Sequence, residues 1–227
     1  MLRLILILPI LIQISCKSNG QAEMNKIIYI GDPMCSWCYG VSDNLAKLVN
    51  ANQDKNEIEI VLGGLRPGGG DEWNANFTNF LDQHWKEVNH KSGVPFNHTL
   101  LKSEYFNYDT EPACRAVVVV RDMDAKITLD FFKAIQKEFY VMNKDPKTMG
   151  FYKPLLQKFN LDIDVFASKF QSQEYKLKTQ KDFNRSAQLG VRSFPTVLFQ
   201  KGDNVTPIAN GYATFEQMQS KIDELGR

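Results

Sequence analysis

The sequence predicts an α/β fold in which a strand–helix–strand half and a strand–strand–helix half flank a large all-helical insertion. Three features predict it. A short apolar run and a later β-branched run bracket a segment whose apolar residues recur at helical spacing. Near the other end, two short apolar runs around a Lys201-Gly202-Asp203-Asn204 turn precede an amphipathic stretch. Between these halves, residues 71–189 show helical periodicity and no convincing strand.

The elements follow in order. Lys26 to Ile30 reads as a buried strand, and Val41, Leu45, Leu48 and Val49 mark a helix from about Cys35 to Asn52. Glu57 to Leu62 is the next strand, so this unit makes a parallel sheet. Residues 66–70, Arg-Pro-Gly-Gly-Gly, are a hinge or turn into the insertion. There Phe77, Phe80, Leu81 and Val88 share a helical face, as do Phe132, Ile135, Phe139 and Met142, while Phe166 and Phe170 start another. Val117 to Val120 suits a strand by residue type, but Pro112 as a first helical residue, with Asp109 or Thr110 as cap, favours a helix buried all round. Thr196 to Phe199 and Val205 to Ala209 form a hairpin. Thr214 and Gln217 make a capping box for a last helix whose apolar face is Phe215, Met218, Ile222 and Leu225. The expected domain therefore comes in two pieces, 26–70 and 190–227, interrupted by the insertion 71–189.

With 227 residues and 43% hydrophobic content, the chain has ample material for a core. Its net charge of +1, with both signs interspersed, gives no footprint for nucleic acid or for an anionic membrane surface, and nucleic acid is excluded as a partner. The N-terminus has Arg3 ahead of an apolar run from Leu4 to Ile12, too short to span a bilayer core of ~30 Å. It reads as an export signal. The ending Gln13-Ile14-Ser15-Cys16 resembles the lipobox of bacterial lipoprotein precursors, which implies a signal peptide over 1–16 and lipidation of Cys16. Gln13 departs from the usual leucine, and ordinary cleavage near Gly20, giving a soluble secreted protein, is the alternative. Residues 17–25 would be a polar tether.

If Cys16 carries lipid, Cys35, Cys38 and Cys114 remain, an odd number that excludes a framework of several structural disulfides. The quartet Cys35-Ser36-Trp37-Cys38 can be a redox couple, a metal clamp or a structural staple. Two residues three apart in a first helical turn have Cα atoms about 5–6 Å apart, within reach of a disulfide. Cys35 at a helix N-terminus would meet unpaired N–H groups and the positive end of the dipole, which favour a thiolate nucleophile. Cys38, one turn in and shielded, would be the resolving thiol.

A strand leading into Cys-x-x-Cys, a helix behind it, and Phe194-Pro195-Thr196 opening a hairpin together resemble the thioredoxin fold, and the helical insertion makes the chain similar to the DsbA family. Residues 32–40 (DPMCSWCYG), 63–68 (GGLRPG), 111–117 (EPACRAV) and 190–196 (GVRSFPT) resemble its FrnE-like branch. The resemblance covers about residues 26–225. It implies a protein disulfide oxidoreductase or isomerase with a cis peptide bond before Pro195, facing the cysteines, and substrate contacts at Trp37, Phe194 and Thr196. It implies no cofactor beyond the Cys35–Cys38 couple. Partners would be protein thiols and disulfides of the bacterial cell envelope, on the periplasmic side, together with a redox partner; the membrane would be met only through the lipid anchor. Family members that are strong oxidants carry Pro-His between the cysteines. Ser36-Trp37 lacks that imidazole, so a less oxidising couple is expected.

Other residues draw plainer readings. Asp32 is a turn residue, a helix cap or a proton relay, and no catalytic role is assigned to it. Met34 is a substrate contact or core filler. Cys114 is a structural thiol in a buried helix. His84, His90 and His98 have no partners at metal-ligand spacing, so no metal site is expected. The charged run from Lys176 to Arg185 is the solvated face of a helix. The competing functions are a Cu or Zn site on the two thiolates, unsupported by any Met-rich or His-rich segment, and a glutathione-dependent isomerase or transferase, whose known relatives lack the paired cysteines.

Overall fold

The computed structural model describes residues 24–226. Cys16, the signal peptide and most of the tether lie outside the described residues. Strand β1 (Lys26–Gly31) runs parallel to β2 (Glu57–Leu62), joined by α1 (Ser36–Asn52). Strand β3 (Thr196–Lys201) lies antiparallel to β1, and β4 (Asn204–Asn210) antiparallel to β3, so the strand order is β2-β1-β3-β4. Pro207 is accommodated because β4 is an edge strand whose register with β3 shifts at Val197/Leu198. Helix α8 (Phe215–Gly226) closes the chain. Its capping box is formed: Gln217 N donates to Thr214 Oγ1 at 3.3 Å and Thr214 N to Gln217 Oε1 at 2.9 Å. This is the thioredoxin fold.

The insertion between β2 and β3 is helical throughout, as its periodicity predicts: α2 (Ala75–Ser92), α3 (Glu111–Met123), α4 (Thr128–Tyr140), α5 (Met149–Lys158), α6 (Ile163–Gln171) and α7 (Gln173–Gln188), with a 3₁₀ turn at His98–Lys102. The four valines 117–120 are helical and completely buried, so burial on all sides, rather than strand formation, accounts for their clustering. Met142 departs from the expected face: α4 ends at Tyr140 and Met142 is exposed. In α7, Tyr175, Thr179 and Phe183 are buried while the lysines face solvent. Asp182 is the exception to that solvated face, because it makes a bidentate pair with Arg121 and accepts from Leu62 N at 3.0 Å, pinning α7 and α3 to the edge of β2. No helix among the described residues is long and apolar enough to cross a membrane.

One sheet face, with Ile27 and Tyr29, packs into the large core shared with α1, α8 and the insertion. The other face carries Ile28, Ile30, Val61 and Leu198 under Leu189, Val191 and Phe194. The site lies where β1 ends against α1.

Candidate active site

Beyond Gly31 the chain turns at Asp32 and Pro33, and Cys35 takes an extended conformation as the N-cap of α1. Its sulfur accepts from Cys38 N at 3.4 Å and faces the carbonyl oxygen of Phe194 at 3.6 Å. A sulfur in this position receives both the free N–H of the first turn and the positive end of the helix. Cys35 and Cys38 are free thiols. Cys35 is 5% exposed and Cys38 is fully buried. The Cys35 sulfur thus sits on the floor of a cavity rather than on an open surface, and Cys38 lies behind it. Burial, followed by the neighbouring Cys35, holds the Cys38 thiol well above its ordinary range, while Asp32's backbone and the Tyr29 hydroxyl act in the opposite sense.

The cavity, of about 520 Å³, is walled by Trp37 and the loop Gly63-Gly64-Leu65-Arg66 on one side and by Phe80, Leu81 and His84 of α2 on another. Phe183, Ser186 and Ala187 of α7 and the segment 191–194 complete it. Its lining is aromatic and apolar with two arginines, Arg66 and Arg192, and no carboxylate. The Phe194–Pro195 peptide bond is cis. Phe194 and Trp37 both line the cavity, whereas Thr196 does not: it is buried and its hydroxyl donates to Ser193 O at 2.8 Å, shaping the loop. Gly63 is dictated by a close approach, since a Cβ there would lie 2.2 Å from the Phe194 ring.

Beneath the floor, Asp32 is completely buried. Its carboxylate accepts from Met34 N at 2.8 Å, from Leu65 N at 2.7 Å and from the Cys114 thiol at 3.3 Å. Burial raises Asp32 above the usual carboxylate range, against the lowering pull of these bonds. Burial also pushes the Cys114 thiol well up, reinforced by the facing Asp32. Asp32 therefore ties the cysteine loop, the glycine loop and α3 together, a role larger than that of a turn residue. The Thr110 side chain makes no cap bond, because its hydroxyl accepts from Arg66 N at 3.1 Å, and Asp109 Oδ1 accepts from Gly68 N at 2.7 Å. The Tyr108 hydroxyl donates to Met34 O at 2.8 Å.

Sequence reasoning missed Tyr108, the Asp32–Cys114 contact and the cavity position of His84, whose Nδ1 lies 2.9 Å from Phe80 O. His98 pairs with Asp82 instead, away from the cysteines. The motifs at 63–68 and 111–117 carried the only signal for the loop and for Cys114. Among the described residues, no three His, Cys, Asp or Glu side chains are grouped as metal ligands would be.

The profile of a family described as Thioredoxin matches residues 28–218. No curated protein sequence matches the chain. Among solved structures, the chain is similar to a candidate protein disulfide isomerase from Nitrosomonas europaea, with 31% identity, a TM-score of 0.82, and coverage of 89% of this chain and 97% of that one. It shares its fold with the cytosolic disulfide reductase DsbM from Pseudomonas aeruginosa, at 18% identity and TM-score 0.73, covering 88% and 98% of the two chains. The fold is also that of Chlamydia trachomatis DsbA, at 15% identity and TM-score 0.58, covering 89% and 86%.

Proposed function

Because this chain belongs to the thioredoxin family, we propose that it is a thiol–disulfide oxidoreductase acting on proteins, with Cys35 as nucleophile and Cys38 as resolving thiol. The observation that supports this most directly is the placement of the Cys35 sulfur at the α1 N-cap, on the floor of an aromatic cavity, with the second thiol buried one turn behind. In reduction, the Cys35 thiolate attacks one sulfur of a client disulfide, forming a mixed disulfide and releasing a client thiolate. Cys38, deprotonated, then attacks Cys35 Sγ, the mixed disulfide breaks, and the second client thiol leaves as the Cys35–Cys38 disulfide forms. Oxidation of a client is the same sequence reversed, and the reduction potential against glutathione sets the direction. Pro195 and the Phe194 backbone would hold an extended client segment beside Cys35, with Trp37 shaping its approach.

Cys38→Ser is expected to accumulate mixed disulfides with clients through Cys35, and Cys35→Ser to accumulate none. Equal trapping by both variants would overturn the roles. Within the DsbA group we assign the chain to the FrnE-like branch on the motifs at 32–40, 63–68, 111–117 and 190–196, with isomerase as well as oxidase activity open to it. We also propose envelope location through lipid on Cys16. Cys16→Ala is expected to abolish metabolic lipid labelling and leave insulin reduction intact; persistent labelling would remove the anchor.

A further inference from the structure

Resolution requires Cys38 to exist as a thiolate, and Cys38 is completely buried. An apolar surround disfavours a thiolate unless donors face it. The backbone of Asp32 and the hydroxyl of Tyr29 favour the charged form of this sulfur. Tyr29 is 1% exposed and lies on the α1 face of the sheet, its ring meeting Phe132 of α4 edge-on at 5.7 Å. It leans forward along its own strand, so that its hydroxyl oxygen is 2.4 Å from where a side chain on Gly31 would begin. The absent side chain at Gly31 is what admits the hydroxyl to the end of β1. That hydroxyl is buried and makes no hydrogen bond of good geometry with any of the described residues. Orphaned buried hydroxyls are uncommon and call for an explanation.

We propose that the Tyr29 hydroxyl donates a hydrogen bond to Cys38 Sγ when that sulfur is a thiolate, and so sets the rate at which Cys38 resolves the mixed disulfide held on Cys35. The proposal rests on the exchange reading above. As a thiol, Cys38 offers only a weak acceptor, and ionisation turns the same sulfur into a strong one. The step balances as Cys38–SH plus Cys35–S–S–R giving the Cys35–Cys38 disulfide plus R–SH, the proton leaving with the released thiol. The titratable groups facing Cys38 are Cys35 on its own helix, Asp32 from the loop and Tyr29 from β1. Tyr108 and Tyr140 stand toward Asp32 and Cys35, and α4 presents the uncharged Phe132 ring.

The reduced full chain, with Cys16→Ala throughout as the wild-type background so that Cys16 adds no equivalent of its own, is mixed with dithionitrobenzoate and the release of thionitrobenzoate followed in time. Wild type is expected to release one equivalent as Cys35 attacks and a second as Cys38 resolves. Loss of a hydrogen bond to a charged acceptor in Tyr29→Phe should slow the second phase about tenfold more than the first and raise the midpoint of its pH–rate profile by about one unit. Gly31→Ala, which evicts the hydroxyl while keeping the tyrosine, should do the same. A second phase and midpoint unchanged in both variants would overturn the Tyr29 role, as would equal slowing of both phases. Wild type releasing a single equivalent would instead overturn the Cys35–Cys38 exchange reading.

Discussion

The floor and the walls of the cavity are made by different parts of the chain under different rules. The floor, from Gly31 to Cys38, is local: one strand end, one turn and one helix start place the Cys35 sulfur on the N–H of Cys38. The walls are non-local, since α2 contributes Phe80 and His84 and α7 contributes Phe183, two segments far apart in sequence that only the folded insertion brings together. The contrast separates chemistry from access. Any thiol or disulfide must meet the floor, but only a substrate large enough to fill the cavity meets the walls. The largest effect therefore belongs to the floor: Cys35→Ala should reduce both insulin reduction and glutathione exchange to the uncatalysed rate. Retention of either would break the division.

Asp32 joins the two regions, accepting from the floor at Met34 N and from the wall at Leu65 N. An amide in its place keeps the shape but turns a donor toward one of these donors, so Asp32→Asn should lower stability by about 1–3 kcal/mol in chemical denaturation. The pH dependence has a definite sign. Because burial raises Asp32 in the folded protein, the native state retains its proton where the unfolded chain, with a carboxyl near ~3.9, has released it. The wild type therefore holds this contribution in full below that value and loses it as pH rises through the native value, whereas the asparagine does not titrate. The stability gap between wild type and Asp32→Asn should narrow as pH rises above ~3.9. A widening gap would mean that hydrogen bonding outweighs burial at Asp32.

At the walls the effect should depend on the substrate. Phe80 is 45% exposed and lines the cavity, and Arg192 carries a charge on a rim without carboxylates. Combining Phe80→Ala with Arg192→Gln should slow exchange with a protein client about three- to tenfold and leave glutathione exchange within about twofold. Equal losses on both substrates would sharpen the comparison in the other direction, by assigning the walls a part in the chemistry.

The same division explains what the sequence disclosed. The strand boundaries at Glu57 and Leu62, the helix start beside Cys35 and the Thr214–Gln217 capping box follow from spacing and cap chemistry within a few residues. Periodicity announced the helices of the insertion but not the faces they turn to the cavity, so His84 read as an ordinary surface or core histidine and Phe80 only as one residue of an apolar helical face. Asp32 shows the limit most clearly. Its neighbours Met34 and Cys35 suggested a turn or a cap, while the partners that define it, Leu65 and Cys114, arrive from β2's far end and from α3. No local pattern encodes a carboxylate shared by three segments. Thr110 fails the same way: it occupies the cap position foreseen for it, but its hydroxyl serves the Arg66 loop.

The smallest expected effect concerns Cys114 of α3, which lines neither floor nor walls but touches the floor's Asp32. Its thiol is completely buried and donates to Asp32 Oδ2 at 3.3 Å, in parallel with the backbone N–H groups of Met34 and Leu65. A thiol is a weak donor, and a buried thiol pushed well above its ordinary range holds its proton and is a poor nucleophile. Both properties argue for packing over chemistry. Cys114→Ala removes one sulfur from a close-packed helix and one weak bond from a carboxylate that keeps two others, a loss of about 1 kcal/mol with insulin reduction within about twofold of wild type. Cys114→Ser supplies a stronger donor of similar size and should recover part of the stability measured for the alanine variant. If alanine instead costs tenfold in insulin reduction while the protein stays folded, and serine does not restore it, then a third thiol takes part in exchange and the separation of floor from wall fails at Cys114.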